Sequence, residues 1–474
     1  MTIKFGTEGW RAVMAEECTF DNVRIVTQAI AEHVLAGAKA RAGGGRVTMA
    51  VGYDTRFLSD RFGRAVCEVL AANRIRCLLS DRAIPTCAVS RTVVDKHLPA
   101  GIMVTASHNP PVYNGLKVKE SYGGSATTES VASIERRLGR SRVARTPFDE
   151  AKDAGLIVED YFLPRYLKGI AAFVDLRAIR RSSFRVVVDS MHGAGGRIIE
   201  GLLKGGRCQV ETLHGDPDPL FGGQAPEPIA SHLTALSRTV VRRRAHVGLA
   251  NDGDADRIGI TGPDGVWLNP GQIMCVLLAH LVQSRGARGA VVKTVSNTMM
   301  INRAAEALGL RLIEVPVGFK YVAKLMLEDD ILIGGEESGG IGLKGYLPER
   351  DGLVNDLLVL EAMAVRRQTL SAIMQDLERR YGRWFYGRRD LHLKTAQVDG
   401  LFKRLQRSVP SRIAGVPVAR VNTLDGVKLI GRDESWLLFR RSGTEPIVRI
   451  YAESPTKRNL PTLLTTGVRL ATGA

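Results

Sequence analysis

Three stretches of the chain repeat one plan: a β-rich run, a polar turn rich in Gly or Ser, an amphipathic helix, and a second β-rich run. "RVTMAVGYD" (46–54) leads through "RAVCEVLAANRIR" to "CLLSD". "FRVVVDSMHGAGG" (184–196) leads through "RIIEGLLKGG" to "CQVETLH", and "GAVVKTVSN" (289–297) through "INRAAEALGL" to "RLIEVPV". Strand-length runs of Val and Ile alternating with helix-period segments mark β-α-β units, whose parallel strands are joined by crossover helices. Three copies predict three tandem, related α/β domains built on mixed βαβ sheets. After "RRYGRW" (379–384) the plan stops, and short alternating runs such as "WLLFRR" and "IVRIYAE" predict a smaller C-terminal α+β domain. The expected domains are 1–153, 154–263, 264–379 and 380–474.

A chain of 474 residues suits two to four domains, and its 45% hydrophobic and 24% charged content is that of a folded protein rather than a disordered one. The six cysteines (Cys18, Cys67, Cys77, Cys87, Cys208, Cys275) are scattered without a C-x-x-C pair, which predicts reduced, buried thiols. "MTIKFGTEGWR" has no basic region followed by an apolar core, and no apolar run reaches the roughly 20 residues of a membrane span. A cytoplasmic location is expected. The formal net charge of +17 calls for anionic partners. The arginines are dispersed, with only short clusters such as "VRRRAH" (241–246), and no aromatic residues interleave with them. Phosphorylated small molecules are therefore the expected partners, with no nucleic acid and no membrane.

Loops that follow strands carry ligands in α/β proteins, and several here have unusual chemistry. In "AHVGLANDGDADRIGITG" (245–262), Asp252, Asp254 and Asp256 recur at period two between two apolar runs. An extended loop with that spacing aims three carboxylates to one side. Crowded like charges need a cation between them, and an all-oxygen donor set selects a hard one such as Mg²⁺. An EF-hand is excluded, because its sixth position requires Gly and holds Arg257, and its twelfth requires Glu and holds Pro263. "ILIGGEESGG" (331–340) runs an apolar strand into a Gly-rich loop with Glu336, Glu337 and Ser338, groups suited either to sugar hydroxyls or to capping a helix. "FRRSGTEPIVRIYAE" (439–453) offers Arg440, Arg441, Ser442, Gly443, Thr444 and Arg449, a turn and guanidinium forks that suit a phosphate.

"TASHNP" (105–110) places Ser107 beside His108. Adjacent residues on an extended chain point to opposite sides, and the G-x-S-x-G setting of a hydrolase is absent, so His108 is a poor base for Ser107. A helix cap or turn is one reading of Ser107. A phosphoryl carrier, its charge offset by a metal, is another.

Together these stretches resemble the α-D-phosphohexomutase superfamily, of the phosphoglucomutase/phosphomannomutase type. "FGTEGWR" (5–11), "TASHNPPVYNGLKV" (105–118), "NDGDADR" (251–257), "VGFKYV" (317–322), "GGEESGG" (334–340) and "RRSGTEPIVRIYAE" (440–453) occur in the family's order and spacing across nearly the whole chain. The resemblance implies four domains around a central cleft. It implies a phosphorylated Ser107, Mg²⁺ held by Asp252, Asp254, Asp256 and a phosphoserine oxygen, and Arg257 steadying that phosphoserine. Arg11 and Lys117 would flank the reacting phosphoryl group, Lys117 as acid or base, with His108 a hydrogen-bonding neighbour. Lys320, Glu336 and Ser338 would bind the sugar, and Arg440, Ser442, Gly443, Thr444 and Arg449 the distal phosphate. The implied activity is interconversion of hexose 1- and 6-phosphates through a hexose 1,6-bisphosphate, by a monomer or weak dimer, with glucose phosphates preferred and mannose phosphates as a second substrate. Three departures stand out. Gly340 replaces a histidine that some relatives carry after Ser-Gly, Ala12 replaces a glycine, and "YNG" with "GEES" differs from the phosphoglucosamine mutases. The alternatives are such a mutase, or a non-catalytic sugar-phosphate-binding relative.

Overall fold

A computed structural model of the chain describes residues 3–6, 8–40, 46–441 and 447–473. The Val- and Ile-rich runs become the strands of four sheets. The first holds β1 (Trp10–Val13), β2 (Thr48–Tyr53), β3 (Arg76–Ser80), β4 (Ala100–Val104), β5 (Tyr113–Glu120) and β6 (Ile157–Asp160), in the order β1-β5-β4-β2-β3-β6. The second holds β7 (Arg185–Asp189), β8 (Gln209–Leu213), β9 (Val247–Asn251), β10 (Ile258–Thr261) and β11 (Trp267–Leu268). The third holds β12 (Ala290–Thr294), β13 (Leu312–Val315), β14 (Ile331–Gly335) and β15 (Ile341–Leu343). These are three related α/β units with mixed sheets.

Their topology is one pattern used three times: β3-β2-β4-β5, β8-β7-β9-β10 and β13-β12-β14-β15. In each, the first strand lies between the second and third and runs parallel to both. The fourth returns antiparallel to the third through a short connection. That hairpin contains residues 105–112 in the first unit, 252–257 in the second and 336–340 in the third. The three loops singled out in the sequence therefore occupy one topological position. It lies at the C-terminal ends of the parallel strands, where open α/β sheets place ligands.

Elements also run past the expected domain limits. β6 pairs in parallel with β3, so the first sheet runs to 160 and not 153. β11 pairs with β10 beyond 263, and the helix Leu370–Tyr381 ends past 379. Short edge strands carry too little periodicity to be seen in the sequence.

The fourth sheet is antiparallel, with β16 (Phe385–His392), β17 (Arg412–Ile413), β18 (Val416–Asn422), β19 (Val427–Gly431), β20 (Trp436–Arg441) and β21 (Ile447–Ser454) in the order β16-β21-β20-β19-β18-β17. Alternation along β20 and β21 splits its two faces. Leu437, Phe439, Val448 and Ile450 join a core with residues of the helices Thr395–Arg407 and Asn459–Thr472. Trp436, Leu438 and Tyr451 instead join the large core that runs through the second and third units. Within that core the helix Pro270–Gln283 is buried almost throughout, and Asn269 and Gln272 cap its N-terminus reciprocally ahead of a first-position Pro. All six cysteines are free and buried, and no helix among the described residues is long and apolar enough to cross a membrane.

Candidate active site

Ser107 leaves β4 in the left-handed region, with φ of 53°. That conformation costs free energy for a residue with a Cβ and persists only where the surroundings impose it. Here they do. Thr105 Oγ1 accepts the Ser107 N–H at 2.8 Å. The fully buried Arg56 guanidinium donates to the backbone carbonyls of Ser107 (2.6 Å), Asn109 (2.7 Å), Pro110 (3.0 Å) and Tyr113 (3.0 Å). Asp54 faces Arg56 at 3.4 Å and accepts the Thr105 hydroxyl at 2.6 Å. Ser107 Oγ in turn donates to Asp252 Oδ2 at 2.8 Å, while His108 Nδ1 stands 3.5 Å away. Burial, with Arg257 and Arg11 nearby, holds the His108 imidazole well below its ordinary pKa, so it is neutral. The serine's firm partner is the aspartate of the next unit.

Asp252, Asp254 and Asp256 each offer an oxygen within 4.8 Å of the others, and all three are buried. Their convergence does not come from an extended loop. The chain turns between β9 and β10, Ala255 takes φ of 58°, and Asp252 Oδ1 accepts the N–H groups of Asp256 and Arg257 at 3.0 Å each. A turn brings the carboxylates closer than a strand would, because alternate strand residues are nearly 7 Å apart. Asp254 Oδ1 and Asp256 Oδ1 are buried without a hydrogen-bond partner. Orphaned carboxylate oxygens in an all-oxygen cluster fit a hard divalent cation. Burial and the charges of Asp256 and Asp254 push Asp252 up to about 8, against Arg257 and Lys117.

Lys117, on β5 opposite Met103, has no exposed side-chain surface and donates to Asp254 Oδ2 at 2.6 Å and Asp256 Oδ2 at 2.7 Å. Burial alone would lower its pKa; Asp254 and Asp256 outweigh it and raise the pKa above the ordinary lysine value. Arg11, on β1, donates to Asn109 Oδ1 at 2.9 Å and faces Glu8 at 3.6 Å. Two glycines bring β1 this close to β5. A Cβ on Gly115 would stand 2.0 Å from the Trp10 carbonyl oxygen, and one on Gly9, at φ of 132°, would stand 2.3 Å from that of Leu116. Arg257 Nε lies 3.9 Å from both Asp252 and Asp256, the approach of a charge that can still turn toward a ligand.

Glu336 reaches the cluster through Arg350, whose Nη1 donates to Glu336 Oε2 at 3.0 Å. Burial and the Glu8 charge outweigh Arg350 and push Glu336 up to about 7. Ser338 lies half-buried in the same turn. Lys320 sits in the first turn of the helix Phe319–Glu328, its ammonium 5.2 Å from the Tyr321 ring. In the fourth unit, Arg440 and Arg449 are directly opposite each other on β20 and β21, and Arg440 Nε bonds Asp425 Oδ2 at 2.7 Å. Ser442, Gly443 and Thr444 lie outside the described residues. Ser107, Lys117, Arg257, the three aspartates and Glu336 thus form one buried network, with the half-buried His108 and Arg11 at its edge. Lys320, Ser338, Arg440 and Arg449 make no hydrogen bond or ion pair to it among the described residues.

Four participants escaped the sequence reading. Thr86, first residue of the helix Thr86–Asp95, donates to Asp254 Oδ2 at 2.5 Å. Glu8 chelates the Arg350 guanidinium with both its oxygens, and burial notwithstanding, Arg350 and Lys117 lower it to about 2. Arg350 also donates to Asp256 Oδ2 at 2.7 Å. Arg56 completes the set. The signals were the stretch "FGTEGWR" around Glu8, an acid–base pair in the turn after β2 ("YDTR") and a charged run before a helix ("PERDG"). Surface loops carry such runs routinely.

Three family models match the chain. They describe the phosphoglucomutase/phosphomannomutase alpha/beta/alpha domains I, II and III, over residues 2–144, 164–265 and 269–381. A phosphoglucomutase/phosphomannomutase from Thermococcus kodakarensis is 30% identical over 468 residues, covering 98% of each chain. A phosphoglucosamine/phosphogalactosamine mutase from Sulfurisphaera tokodaii is 28% identical over 459 residues, covering 95% of each. A crystal structure from Thermus thermophilus, assigned as a phosphomannomutase, superimposes with a TM-score of 0.86 at 34% identity over 99% of both chains. The chain therefore belongs to the phosphoglucomutase/phosphomannomutase family, within the α-D-phosphohexomutase superfamily.

Proposed function

We propose that the protein is a phosphohexomutase that interconverts hexose 1-phosphate and hexose 6-phosphate, with glucose phosphates preferred and mannose phosphates also accepted. The observation that carries this reading is the meeting of three equivalent hairpins. Ser107 and Lys117 from the first unit touch the aspartates of the second, and Arg350 connects those to Glu336 of the third. Ser107 carries the phosphoryl group. A free sugar hydroxyl attacks the phosphorus, its O–P bond forms as the Ser107 Oγ–P bond breaks, and a hexose 1,6-bisphosphate results. Lys117 is protonated at rest, so it acts first as the acid toward the leaving serine oxygen, and the proton released by the sugar hydroxyl restores it. The bisphosphate then turns end for end and returns its other phosphate to Ser107.

Asp252, Asp254, Asp256 and a phosphoserine oxygen would hold Mg²⁺, which would supply charge stabilisation to the transferring group. Arg257 and Arg11 add fixed positive charge beside it, and Arg56 fixes the carrier loop so that little reorganises during transfer. Glu336 and Ser338 face the sugar hydroxyls with Lys320 nearby, and the distal phosphate is held by the guanidinium groups of Arg440 and Arg449 and by hydrogen bonds from Ser442, Gly443 and Thr444. A grip on phosphate alone accepts the substrate in either orientation. The four units 1–153, 154–263, 264–379 and 380–474 enclose the cleft, with β6, β11 and the helix Leu370–Tyr381 running past those limits.

A second reading, turnover of glucosamine phosphates, is favoured by the Sulfurisphaera tokodaii relative. Comparative turnover of glucose, mannose and glucosamine 1-phosphates with Mg²⁺ and catalytic bisphosphate separates the two. Glucose 1-phosphate is expected to give the highest kcat/KM, and Ser107→Ala to be nearly inactive. Intact mass after bisphosphate treatment is expected to show one added phosphate that Ser107→Ala lacks. Undiminished turnover by Ser107→Ala would remove the serine from the mechanism.

A further inference from the structure

Arg350 is almost wholly enclosed, with 1% of its side chain exposed, yet it belongs to none of the three hairpins. It stands just before the helix Gly352–Arg366, with its carbonyl accepting the Cys87 thiol at 2.7 Å and its N–H donating to Glu349 Oε1 at 3.0 Å. The Phe319 ring backs its guanidinium at 5.3 Å. Each terminal nitrogen of the fork gives one hydrogen to Glu8. The second hydrogen of Nη1 goes to Glu336 Oε2 at 3.0 Å, and the second of Nη2 goes to Asp256 Oδ2 at 2.7 Å. One planar group therefore sets the separation between a carboxylate of the sugar loop and a carboxylate of the metal loop, and Glu8 of the first unit holds that plane in place.

The neighbouring glycine has a matching explanation. A Cβ built on Gly340 would stand 2.0 Å from Arg350 Cδ and 3.0 Å from its Cγ. No side chain fits at 340 while Arg350 takes this path, so the arginine fills the space that a residue at 340 would otherwise present to the sugar loop. A lysine cannot replace it, because a single ammonium lacks the two diverging donors that reach Glu336 and Asp256 while both also meet Glu8.

We propose that Arg350 is a positioning residue that couples sugar recognition to the metal site, oriented by Glu8 and made possible by Gly340. Its role rests on the mutase reading above, since Glu336 and Asp256 acquire a sugar and a metal only there. Removing a buried group that orients metal ligands costs roughly 10- to 100-fold in metal affinity. Arg350→Lys, Arg350→Gln and Gly340→Ala are compared with the unmodified protein in three measurements. These are Mn²⁺ affinity by calorimetry without sugar, glucose 1-phosphate affinity in Ser107→Ala backgrounds, and the midpoint of thermal unfolding. The expected result is a loss of about tenfold or more in both affinities for all three variants. Gly340→Ala should add little to Arg350→Gln in the double variant, because both remove the same fork from the same place.

Wild-type affinities in a folded Arg350→Lys would overturn the proposal, and so would a lowered unfolding midpoint with both affinities retained. Fully additive losses in the double variant would separate Gly340 from Arg350 and overturn it as well. Absence of hexose phosphate turnover in the unmodified protein would instead refute the mutase reading. The Mn²⁺ measurement would still report on the contact between Arg350 and Asp256.

Discussion

Replacing Arg56 by lysine tests whether the carrier loop is held from behind. The guanidinium makes four hydrogen bonds to backbone carbonyls between Ser107 and Tyr113, at 2.6–3.0 Å, and faces Asp54 at 3.4 Å. An ammonium has three donors on one atom, and from one position it reaches about two of the four carbonyls. Two lost bonds to a charged donor, at roughly 1.5–3 kcal/mol each, amount to about 3–6 kcal/mol, part of which relaxation recovers. A net loss near 3 kcal/mol lowers the unfolding midpoint by roughly 6–12 °C in a unit of 150–250 residues. The functional effect should exceed the thermal one. Ser107 is held at a positive φ by this grip together with Thr105 and Asp252, and a displacement of about 1 Å at a reacting atom costs on the order of 10²-fold in rate. Thermal unfolding, glucose 1-phosphate turnover and intact mass after bisphosphate treatment would be measured side by side. A lysine variant that unfolds at the wild-type temperature and turns over at the wild-type rate would refute the reasoning.

Lys117→Met is expected to reduce kcat by roughly 10²–10⁴-fold in a coupled assay, with Lys117→Arg giving no rescue, because guanidinium does not release a proton. Chelation with EDTA should abolish turnover and added Mg²⁺ restore it; turnover indifferent to both would leave the three aspartates without their metal. Gly115→Ala drives a Cβ to 2.0 Å from the Trp10 carbonyl, so β1 must separate from β5, and denaturation in urea should show a loss of at least about 1–3 kcal/mol. Glu361 predicts a pH dependence. Burial would raise its pKa, but His280 and Arg285 outweigh burial and lower it to about 2 from an ordinary 4.5. A depressed carboxylate stabilises the fold above its unfolded pKa and loses that contribution as pH falls through the folded one. Glu361→Gln should therefore be less stable by roughly 3 kcal/mol at pH 7, with the gap closing between pH 4.5 and 2. A gap that does not narrow in acid would show that packing, not charge, is the source.

The repeated β-α-β plan and the loops behind the third strands were legible because they rest on local patterns. Val187 and Val292 sit in runs whose composition already names a buried strand, and Asp252, Asp254 and Asp256 are too close in sequence to be an ordinary turn. The strand register that makes the three loops equivalent was not legible, because pairing is a long-range property. Nor was the reason the aspartates converge, which lies in one left-handed residue, Ala255. The roles of Arg56, Arg350 and Glu8 were hidden for a different reason. Arg56 acts on carbonyls 51 to 57 residues away and Glu8 meets Arg350 across 342, and a lone arginine or glutamate in a sequence carries the ordinary expectation of an exposed surface. Their function exists only after burial.

The buried network also bears on how the chain assembles. In the first unit Glu8, Arg11 and Lys117 carry one positive charge in excess; in the second the aspartates, with Arg257 beside them, leave a negative excess. Each unit, folded alone, would hold its portion of the network in water at little cost. Pressing it against a wrong neighbour would dehydrate those ions without a counter-charge, at several kcal/mol apiece. The arrangement that lays all three hairpins together sets these opposite charges against one another, which favours the native docking of the units over a wrong one.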